Sequence, residues 1–357
     1  MVALIFCGDL KYCPYIKRYT ERLEEKQVPY QVLFWNRGSF QLDMPENYRY
    51  FDSPSAEDLS KKEKLRDFFR FRKWLKKQFK TYKYDRIVAL STLTGILLFD
   101  FLLSRPHRYV FDIRDYSYEH IGLFRFLEKR LIRKSAFTAI SSKGFQAFLP
   151  KHDYVIAHNF NRKEIVEETV FSRKADPIQF VWNGTMRYLP FQKGYIDALK
   201  NDDRFQIVYH GTGTELENFK AYCRENDVRN AVFTGVYDNK DKPKLLENAA
   251  ILNNCYGDKN ADSLRYAISN RYYDGLIFRI PQVVEPDGYK AGMTEEKGVG
   301  VAWNADADFA DRLYAYYHSI DPETFNRSCR EALEEVIRED DLYIARIDGF
   351  ISEEEAN

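Results

Sequence analysis

The chain has 357 residues, of which 45% are hydrophobic and 30% are charged; this composition is typical of a folded protein of about two domains and is too apolar for a disordered one. It contains no apolar run of the roughly 18 residues that a membrane-spanning helix needs, and its five scattered cysteines exclude a disulfide framework and a CxxC-type metal site and favour a reducing cytoplasm. The 54 basic and 54 acidic residues cancel, but residues 1–176 carry 33 against 22 and the remainder carries 21 against 32, which indicates that the first half faces a polyanion or an anionic membrane.

Short apolar runs alternate with helical patterns along the first half of the chain. The predicted strands are 2–7, 29–35, 86–90, 108–113, 136–140 and 153–157, and the predicted helices are 14–26, 61–82, 94–104, 121–134 and 142–149. The uncharged start of the first strand indicates that it is not a signal peptide. Strands that alternate with amphipathic helices predict βαβ units and a parallel sheet covered on both faces.

Much of the basic excess lies in residues 61–83, which hold 11 lysines and arginines against two acids. On a helix, one arc is apolar and contains Leu65, Phe68, Phe69, Phe71, Leu75, Phe79 and Tyr82, with Trp74 outside it, and the opposite side carries Arg66, Arg70, Lys73, Lys77 and Lys80. This pattern fits a surface helix with a solvated basic face, and it equally fits a helix whose basic face touches anionic lipid headgroups. Nucleic acid is disfavoured, because no nucleic-acid-binding module accompanies the patch.

The alternation restarts in the second half. The predicted strands are 178–183, 205–210, 231–235, 249–254, 281–284 and 299–302, and the predicted helices are 191–200, 214–226, 242–248, 262–278 and 306–318, followed by a helical C-terminus. The pattern predicts an N-terminal domain (1–160), a polar linker (161–177), a second domain (178–335) and a C-terminal helix (336–357) that packs back on the first domain. Two doubly wound α/β domains that face each other form a cleft, and such sheets bind ligands at the carboxyl ends of their strands.

Two strand ends of the second half carry glycines beside polar residues. Gly211 and Gly213 follow the strand 205–210 and precede a helix, which fits either a phosphate-contacting loop or a plain turn. The third glycine of a dinucleotide fingerprint is missing, because position 216 is Leu, so an NAD site is disfavoured. Gly184, Arg187 and Lys193 surround the preceding strand end, where they fit a diphosphate cradle or a glycine turn with solvated cations.

The stretch 269–284 is the most specific motif. It resembles the donor-binding helix of GT-B nucleotide-sugar glycosyltransferases of the family-4-like group, with Asn270 and Arg271 at the Asn-Lys positions, Asp274 at the acidic position and Pro281 before an apolar strand. The resemblance implies that Asp274 holds the ribose of a nucleotide and that Arg271 lies near its diphosphate. The family's other acidic residue would fall at Tyr266, where this chain has none.

This resemblance implies a GT-B fold and a retaining transfer of sugar from a nucleotide-diphosphate sugar to a glycan or lipid-linked acceptor, in bacterial surface polysaccharide synthesis. It further implies a cytoplasmic protein peripheral on the inner face of the cell membrane, held there through residues 61–83, with homo- or hetero-oligomers possible. We expect no cofactor and no metal, since cations at Arg187, Lys193 and Arg271 can meet the leaving-group charge. One alternative is a non-catalytic GT-B-like subunit that binds a partner transferase, because Tyr266 stands where the family has its other acidic residue. A second alternative is a two-domain nucleotide-sugar epimerase.

The loop after the strand 108–113 is the predicted acceptor side. Asp112, Asp115 and His120 are the candidate catalytic residues, because carboxylates and a histidine can position a hydroxyl and stabilise a cationic sugar centre. Arg114 is a candidate acceptor-binding residue, and the alternative is an Asp112–Arg114 ion pair that only fixes the loop. Gly8 and Asp9, in the turn after the first strand, are further acceptor-binding candidates.

Asp306 and Asp308 spell the DxD motif of a different glycosyltransferase fold. They follow a late strand and precede a helix, where aspartates cap the first turn and interact favourably with the helix dipole. The sequence therefore predicts a helix cap here and no metal site.

Overall fold

The computed structural model describes residues 1–38, 43–54, 60–165, 169–173, 176–257 and 261–352. The chain divides into two compact units, the first made of residues 1–158 and 338–357 and the second of residues 159–337. Within the predicted linker, Phe171 packs against Tyr317 and Phe325 in the core of the second unit. The rest of that linker and of the predicted C-terminal helix lies partly outside the described residues.

The described part of the first unit contains a parallel sheet of seven strands. These are β1 (Val2–Phe6), β2 (Tyr30–Asn36), β3 (Tyr48–Asp52), β4 (Arg86–Leu90), β5 (Tyr109–Ile113), β6 (Phe137–Ile140) and β7 (Tyr154–Ile156). Their order is β3-β2-β1-β4-β5-β6-β7, so the chain starts near the middle and winds outward in both directions. Every residue of β1 and β5 is buried, as expected for parallel strands covered on both faces.

Five helices connect these strands in the described residues: α1 (Lys17–Glu25), α2 (Lys61–Thr81), α3 (Thr92–Leu97), α4 (Phe99–Leu103) and α5 (Gly122–Lys134). A capping box starts α2, in which Ser60 and Glu63 each satisfy a backbone N–H group of the other. The prediction for Trp74 was wrong: its ring stacks on Phe71, 5.9 Å away, and so lies on the packed side of α2. The packed face is centred on Phe71 and Leu75, which leaves Leu65 and Phe69 exposed at its far edge.

The second unit repeats the architecture with six parallel strands in its described residues, in the order β10-β9-β8-β11-β12-β13. The strands are β8 (Ile178–Asn183), β9 (Phe205–His210), β10 (Ala231–Gly235), β11 (Ile251–Asn253), β12 (Gln282–Val284) and β13 (Gly300–Ala302). The helices are α6 (Leu189–Leu199), α7 (Leu216–Glu225), α8 (Lys242–Leu245), α9 (Asp262–Arg265), α10 (Asn270–Ile277), α11 (Tyr289–Glu296), α12 (Phe309–Ser319) and α13 (Pro322–Ser352).

The structure departs from the predicted elements in five places. The predicted helix 94–104 is two helices, α3 and α4, and the predicted helix 142–149 is a short 3-10 helix, Lys143–Ala147. The strand β3 was missed because it is a sheet edge with partly exposed, polar residues. The predicted helix 262–278 is two helices, α9 and α10, separated at Ser269, whose hydroxyl bonds to Asn254. The helix α11 was missed, and its buried residues include Lys290, which breaks the usual apolar pattern.

The C-terminal helix α13 contributes to both hydrophobic cores: Phe325 and Cys329 to that of the second unit, and Tyr343 and Ile347 to that of the first. All five cysteines are free and buried, so the prediction of no disulfide framework is confirmed. Among the described residues, no helix combines the length and the apolar character that crossing a bilayer requires.

Candidate functional site

Three neighbouring strands of the second unit each end in a glycine of left-handed conformation. Gly184, Gly211 and Gly235 have φ angles of 120°, 131° and 83°, which side chains with a Cβ rarely adopt. The N–H of Gly184 bonds to the carbonyl of His210 at 2.9 Å, and a Cβ on Gly211 would lie 1.9 Å from the carbonyl oxygen of Gly184. The backbone angles therefore favour glycine at all three positions, and close packing of the strand-end loops also requires it at Gly211.

The loop after β9 carries a glutamate, Glu215, whose carboxylate binds the N-terminus of α6. A Cβ on Gly213 would lie 2.4 Å from the carbonyl oxygen of Met186, so this glycine also serves close loop packing. The carboxylate of Glu215 accepts hydrogen bonds from the N–H groups of Tyr188 and Leu189, at 3.0 and 2.9 Å. Glu215 thus satisfies the first N–H groups of α6, where an anionic ligand would otherwise bind.

Arg271 forms the centre of the site. Its guanidinium carbon lies 3.4 Å from the ring centroid of Trp182 and 4.7 Å from that of Tyr256, so the group lies against both rings, whose own centroids are 5.2 Å apart. Its Nε donates to the carbonyl of Asn183 at 2.7 Å. The residue is only 3% exposed, and its buried Nη1 has no hydrogen-bond partner among the described residues.

The Arg271 guanidinium lies beside Gly184 through its other terminal nitrogen. Its Nη2 lies 3.7 Å from where a Cβ of Gly184 would be, so the guanidinium reaches the strand end that has no side chain. Burial lowers the pKa of Arg271, and Tyr256 and Asp274 oppose this shift. A buried guanidinium with an unmet donor is costly unless something binds it.

Asp274 is buried and already engaged. It accepts a hydrogen bond from the Asn183 amide at 2.8 Å and pairs with the ammonium of Lys242 at 3.0 Å. Lys242 also pairs with Glu164 at 2.8 Å. Burial raises the pKa of the Asp274 carboxyl, whereas Lys242 lowers it.

A second cation, Lys290, lies against the ring of Tyr256. The ammonium of Lys290 is buried, donates to the carbonyl of Asn254 at 3.0 Å and lies 4.3 Å from the ring centroid of Tyr256. The N–H of Tyr256 donates to both oxygens of Glu285, at 2.8 and 2.9 Å. Lys290, Tyr256 and Glu285 were not identified as site residues from the sequence. Two features could have indicated them: Glu285 directly follows β12, and Lys290 occupies a buried position of α11 where an apolar residue is expected.

The other predicted donor residues differ in their surroundings. Arg187 is exposed, and its charge is close enough to Arg271 to contribute to lowering the pKa of that residue. Lys193 is exposed on α6, and its ammonium lies 4.6 Å from the ring centroid of Tyr222 on α7. Asn270 accepts a hydrogen bond from Asn159 at 2.8 Å. The direct contact seen for Arg187 is with Tyr188, whose ring centroid lies 4.9 Å from the guanidinium carbon. The direct contacts seen for all three residues are therefore with residues other than Arg271.

In the first unit, Asp112 and Arg114 form a closed ion pair. Both oxygens of the fully buried Asp112 pair with the Arg114 guanidinium, and the Tyr19 hydroxyl donates to Asp112 at 2.8 Å. Arg114 also donates to the carbonyl of Ala157 at 2.7 Å and to the hydroxyl of Tyr343 at 3.1 Å. This arrangement matches the alternative in which the pair fixes the loop after β5.

The remaining predicted residues of this unit lie around the strand ends. Asp115 and His120 are exposed on the loop between β5 and α5. Gly8 is buried after β1, and Asp9 accepts hydrogen bonds from the N–H groups of Arg37 and Gly38, at 2.7 and 3.3 Å. Asp9 therefore ties the end of β1 to the end of β2.

Sequence reasoning missed Ser91, which follows β4. It has φ 92° and ψ 152°, a conformation that costs a residue with a Cβ about 1–3 kcal/mol. Its hydroxyl caps α3 by accepting from the N–H of Thr94 at 3.3 Å. Strained residues of this kind concentrate at functional sites.

The DxD stretch is paired with an arginine. Asp306 and Asp308 both form ion pairs with Arg312 on α12. Asp308 precedes α12, but its side chain makes no capping hydrogen bond, so the predicted cap was wrong in that detail. In the part of the chain that the structure describes, no cluster of three or more His, Cys, Asp or Glu side chains is placed to hold a metal ion.

No protein-family model and no curated protein sequence matches the chain. Solved structures do match over nearly the whole length. The lipopolysaccharide outer core galactosyltransferase WaaB, in its apo form, has a TM-score of 0.63 at 15% identity and covers 98% of this chain and 99% of its own. Sucrose-phosphate synthase from Thermosynechococcus elongatus has a TM-score of 0.66 at 12% identity, with 96% and 99% covered.

Anabaena Alr3699/HepE, in complex with UDP, has a TM-score of 0.65 at 13% identity and covers 98% of this chain and 100% of its own. The chain has the GT-B fold. The predicted pair of Rossmann-like domains is therefore confirmed. A putative UDP-N-acetylglucosamine 2-epimerase from Listeria monocytogenes also matches, with a TM-score of 0.57 at 10% identity and 92% and 90% covered. At these identities the likeness establishes the fold alone.

Proposed function

We propose that the protein is a glycosyltransferase that moves a sugar, with retention of configuration, from a nucleotide-diphosphate sugar to a hydroxyl of a glycan or lipid-linked acceptor. Its setting is bacterial surface polysaccharide synthesis in the cytoplasm, at the inner face of the cell membrane. The observation that carries the proposal is the buried Arg271 guanidinium, whose Nη1 has no partner among the described residues and which lies beside Gly184.

The second unit binds the donor in this proposal. Arg271 donates to the diphosphate, because a guanidinium offers paired N–H donors that match phosphate oxygens, and Arg187 adds a second positive charge. Asp274 accepts the ribose hydroxyls, which requires that it exchange its contact with Lys242. The strand-end loops that Gly184, Gly211 and Gly213 hold together let the backbone approach the ligand. With these cations the leaving nucleoside diphosphate needs no metal ion.

The first unit binds the acceptor. Asp115 and His120 are exposed after β5, and they position the acceptor hydroxyl and stabilise the cationic sugar centre. The hydroxyl attacks on the face from which the diphosphate leaves, and the departing diphosphate takes up the hydroxyl proton as the new bond forms, so the configuration is retained. The Asp112–Arg114 pair holds their loop in place. The turn at Gly8 and Asp9 lies at the same edge of the sheet after β1, with the end of β4 between the two. The exposed cations of α2 contribute to holding this unit on anionic lipid, so that replacing Lys73, Lys77 and Lys80 by Glu weakens binding to anionic vesicles.

The donor assignment is tested by calorimetry with UDP, the nucleotide in the HepE structure. We expect Arg271→Met to weaken UDP binding at least about thirtyfold, which corresponds to the loss of about 2 kcal/mol for a hydrogen bond to a charged group. Lys193→Met is the matched control, since Lys193 is a cation of the same unit that lies against Tyr222. Equal UDP affinity of the parent and the Arg271 variant would refute the assignment.

Product analysis separates transfer from the two alternatives. A transferase consumes UDP-sugar faster when a hydroxyl acceptor is present, whereas an epimerase converts UDP-N-acetylglucosamine with no acceptor. The epimerase is retained because a putative epimerase shares the fold. UDP binding without turnover of any donor, in the presence of lipid-linked and free glycan acceptors, would favour the non-catalytic subunit.

A further inference from the structure

Exposed apolar side chains gather on one segment of the first unit. Tyr118, Ile121, Leu123 and Phe126 lie within nine residues, in the loop before α5 and in its first turns, and Leu123 and Phe126 are 68% and 54% exposed. Single exposed apolar residues are ordinary, but several large ones together mark an interaction surface.

The polar side chains around this patch are all of one sign. The exposed charged residues of α5 are Arg125, Lys129, Arg130, Arg133 and Lys134. No ion pair holds any of them within the described residues. The one acid of the helix, Glu128, is buried, and burial followed by the nearby Glu119 raises its pKa to about 8, so it does not offset these cations near neutral pH.

The topology brings a second, smaller patch to the same face and the same edge of the sheet. Helix α2 connects β3 to β4 and α5 connects β5 to β6, so both crossovers run in one direction across the sheet. Right-handed crossovers therefore put both helices on one face. Each helix begins at the carboxyl edge of the sheet, and there α2 exposes Leu65 and Phe69.

The two helices lie in one layer, but their charges are used differently. Arg72 of α2 bonds to Asp100 of α4 at 2.5 Å, and α4 packs against α5. Two further cations of α2 form ion pairs, Arg70 with Asp67 and Lys76 with Asp100. Other cations of α2, among them Lys73, Lys77 and Lys80, form no ion pair within the described residues, so both helices offer cations to an anionic surface. The segment around α5 differs in exposing four large apolar side chains where α2 exposes two.

We propose that residues 118–130 form the element that enters the headgroup layer of an anionic bilayer, with Leu123 and Phe126 inserted, the α5 cations on the lipid phosphates and Leu65 and Phe69 as a secondary contact. Large aliphatic and aromatic side chains beside unpaired lysines and arginines are the pattern of an interfacial helix. The inference builds on the membrane placement in the proposed function, but it moves the main contact from α2 to α5.

The test uses the full chain and vesicles, without any activity. We expect the parent to bind vesicles rich in phosphatidylglycerol and not those of phosphatidylcholine. The double variant Leu123→Ser, Phe126→Ser should lower the partition at least about tenfold, since two large apolar side chains no longer leave water. The matched control is Leu342→Ser, because Leu342 is 64% exposed but lies on α13 next to Asp341.

Two further measurements sharpen the outcome. Leu123→Trp should show a blue-shifted emission that brominated lipids quench, and Leu65→Ser, Phe69→Ser should cost less binding than the α5 double variant. Unchanged vesicle binding of the α5 double variant, or emission of the Leu123→Trp variant that brominated lipids leave unquenched, overturns the proposal. So does light scattering that shows a parent dimer which the α5 double variant converts to monomer, because the patch would then bind a second copy. UDP affinity, measured on the same samples, keeps a failure of the donor assignment separate from a failure here.

Discussion

Each unit buries an aspartate and an arginine that are close in sequence, but the two sets are built differently. In the first unit, Arg114 binds both oxygens of Asp112, and the hydroxyls of Tyr19 and Tyr343 complete the cluster. In the second, Arg271 and Asp274 form no hydrogen bond or ion pair with each other in the described residues.

The difference comes from what competes for the arginine. Asp112 and Arg114 are two residues apart at a strand end, so both side chains lie on the same side of the strand and meet directly. Arg271 and Asp274 are three apart on a helix, where they could also meet, but Trp182 and the carbonyl of Asn183 take the guanidinium. A closed pair fixes a loop, whereas an open one keeps a donor for a ligand.

Removing each carboxylate should break this comparison most clearly. We expect Asp112→Ala to lower the free energy of unfolding by about 3–5 kcal/mol, because it leaves Arg114 buried and unpaired. Asp274→Ala should cost less stability, because Lys242 keeps Glu164, but it should weaken UDP binding by about 1.5–3 kcal/mol. Urea unfolding and calorimetry measure the two effects, and equal destabilisation by both variants would contradict the distinction.

A third buried carboxyl, Glu128, has no such partner. It is fully buried on α5, neither of its oxygens has a hydrogen-bond partner among the described residues, and burial followed by Glu119 raises its pKa from 4.5 to about 8. Between these two pH values the folded state binds more protons than the unfolded state, so stability falls as the pH rises. Burial, followed by the charge of Glu128, also raises the pKa of Tyr154.

Glu128→Gln should therefore stabilise the protein, with a gain that grows from pH 5 to pH 8 and reaches at least about 1 kcal/mol, since one unit of pKa corresponds to 1.36 kcal/mol. Melting temperatures measured across this range give the slope. A gain that does not change with pH would show that Glu128 does not titrate in this interval.

The fold could be predicted from the sequence because alternating apolar runs and amphipathic helices report on each segment alone. The same is true of Arg271, Asp274 and Gly184, which belong to motifs of local spacing. The partners that decide their chemistry could not be predicted in this way. Trp182 and Tyr256 are far from Arg271 in sequence, and only the folded sheet brings them to it.

Glu215 is a second case in which a local sequence pattern does not indicate the contact that forms. Its loop has the glycines of a phosphate-binding turn, yet its carboxylate binds the start of α6, a helix that precedes it in the chain. No local pattern indicates which loop satisfies a given helix start. The orientation of Trp74 depended in a similar way on where the sheet lies relative to α2.

A substitution in the loop after β5 that leaves the Asp112–Arg114 ion pair intact should have a smaller effect, limited to the rate of sugar transfer. His120 is exposed on the loop that follows that pair in the chain, so His120→Ala should leave stability and UDP affinity unchanged. Loss of positioning of the acceptor hydroxyl should slow sugar transfer at least about tenfold. Rates and calorimetry on the same preparation make the comparison, and a full transfer rate in both His120→Ala and Asp115→Ala would leave the loop a structural role only.

Ser91 gives the smallest effect and the one whose sign is most informative. Its φ of 92° suits glycine, so Ser91→Gly should release part of a strain of about 1–3 kcal/mol, while a glycine cap costs only a few tenths of a kcal/mol. The net gain of about 1 kcal/mol should raise the melting temperature by about 2–4 °C. Ser91→Ala keeps the strain and loses the cap to Thr94, so it should lower the melting temperature. If the Ser91 hydroxyl also contributes to acceptor binding, the Ser91→Gly variant will be more stable than the parent and yet slower in sugar transfer. If instead Ser91→Gly melts at as low a temperature as Ser91→Ala, the hydrogen bond of the hydroxyl, and not the backbone conformation, sets the stability of this turn.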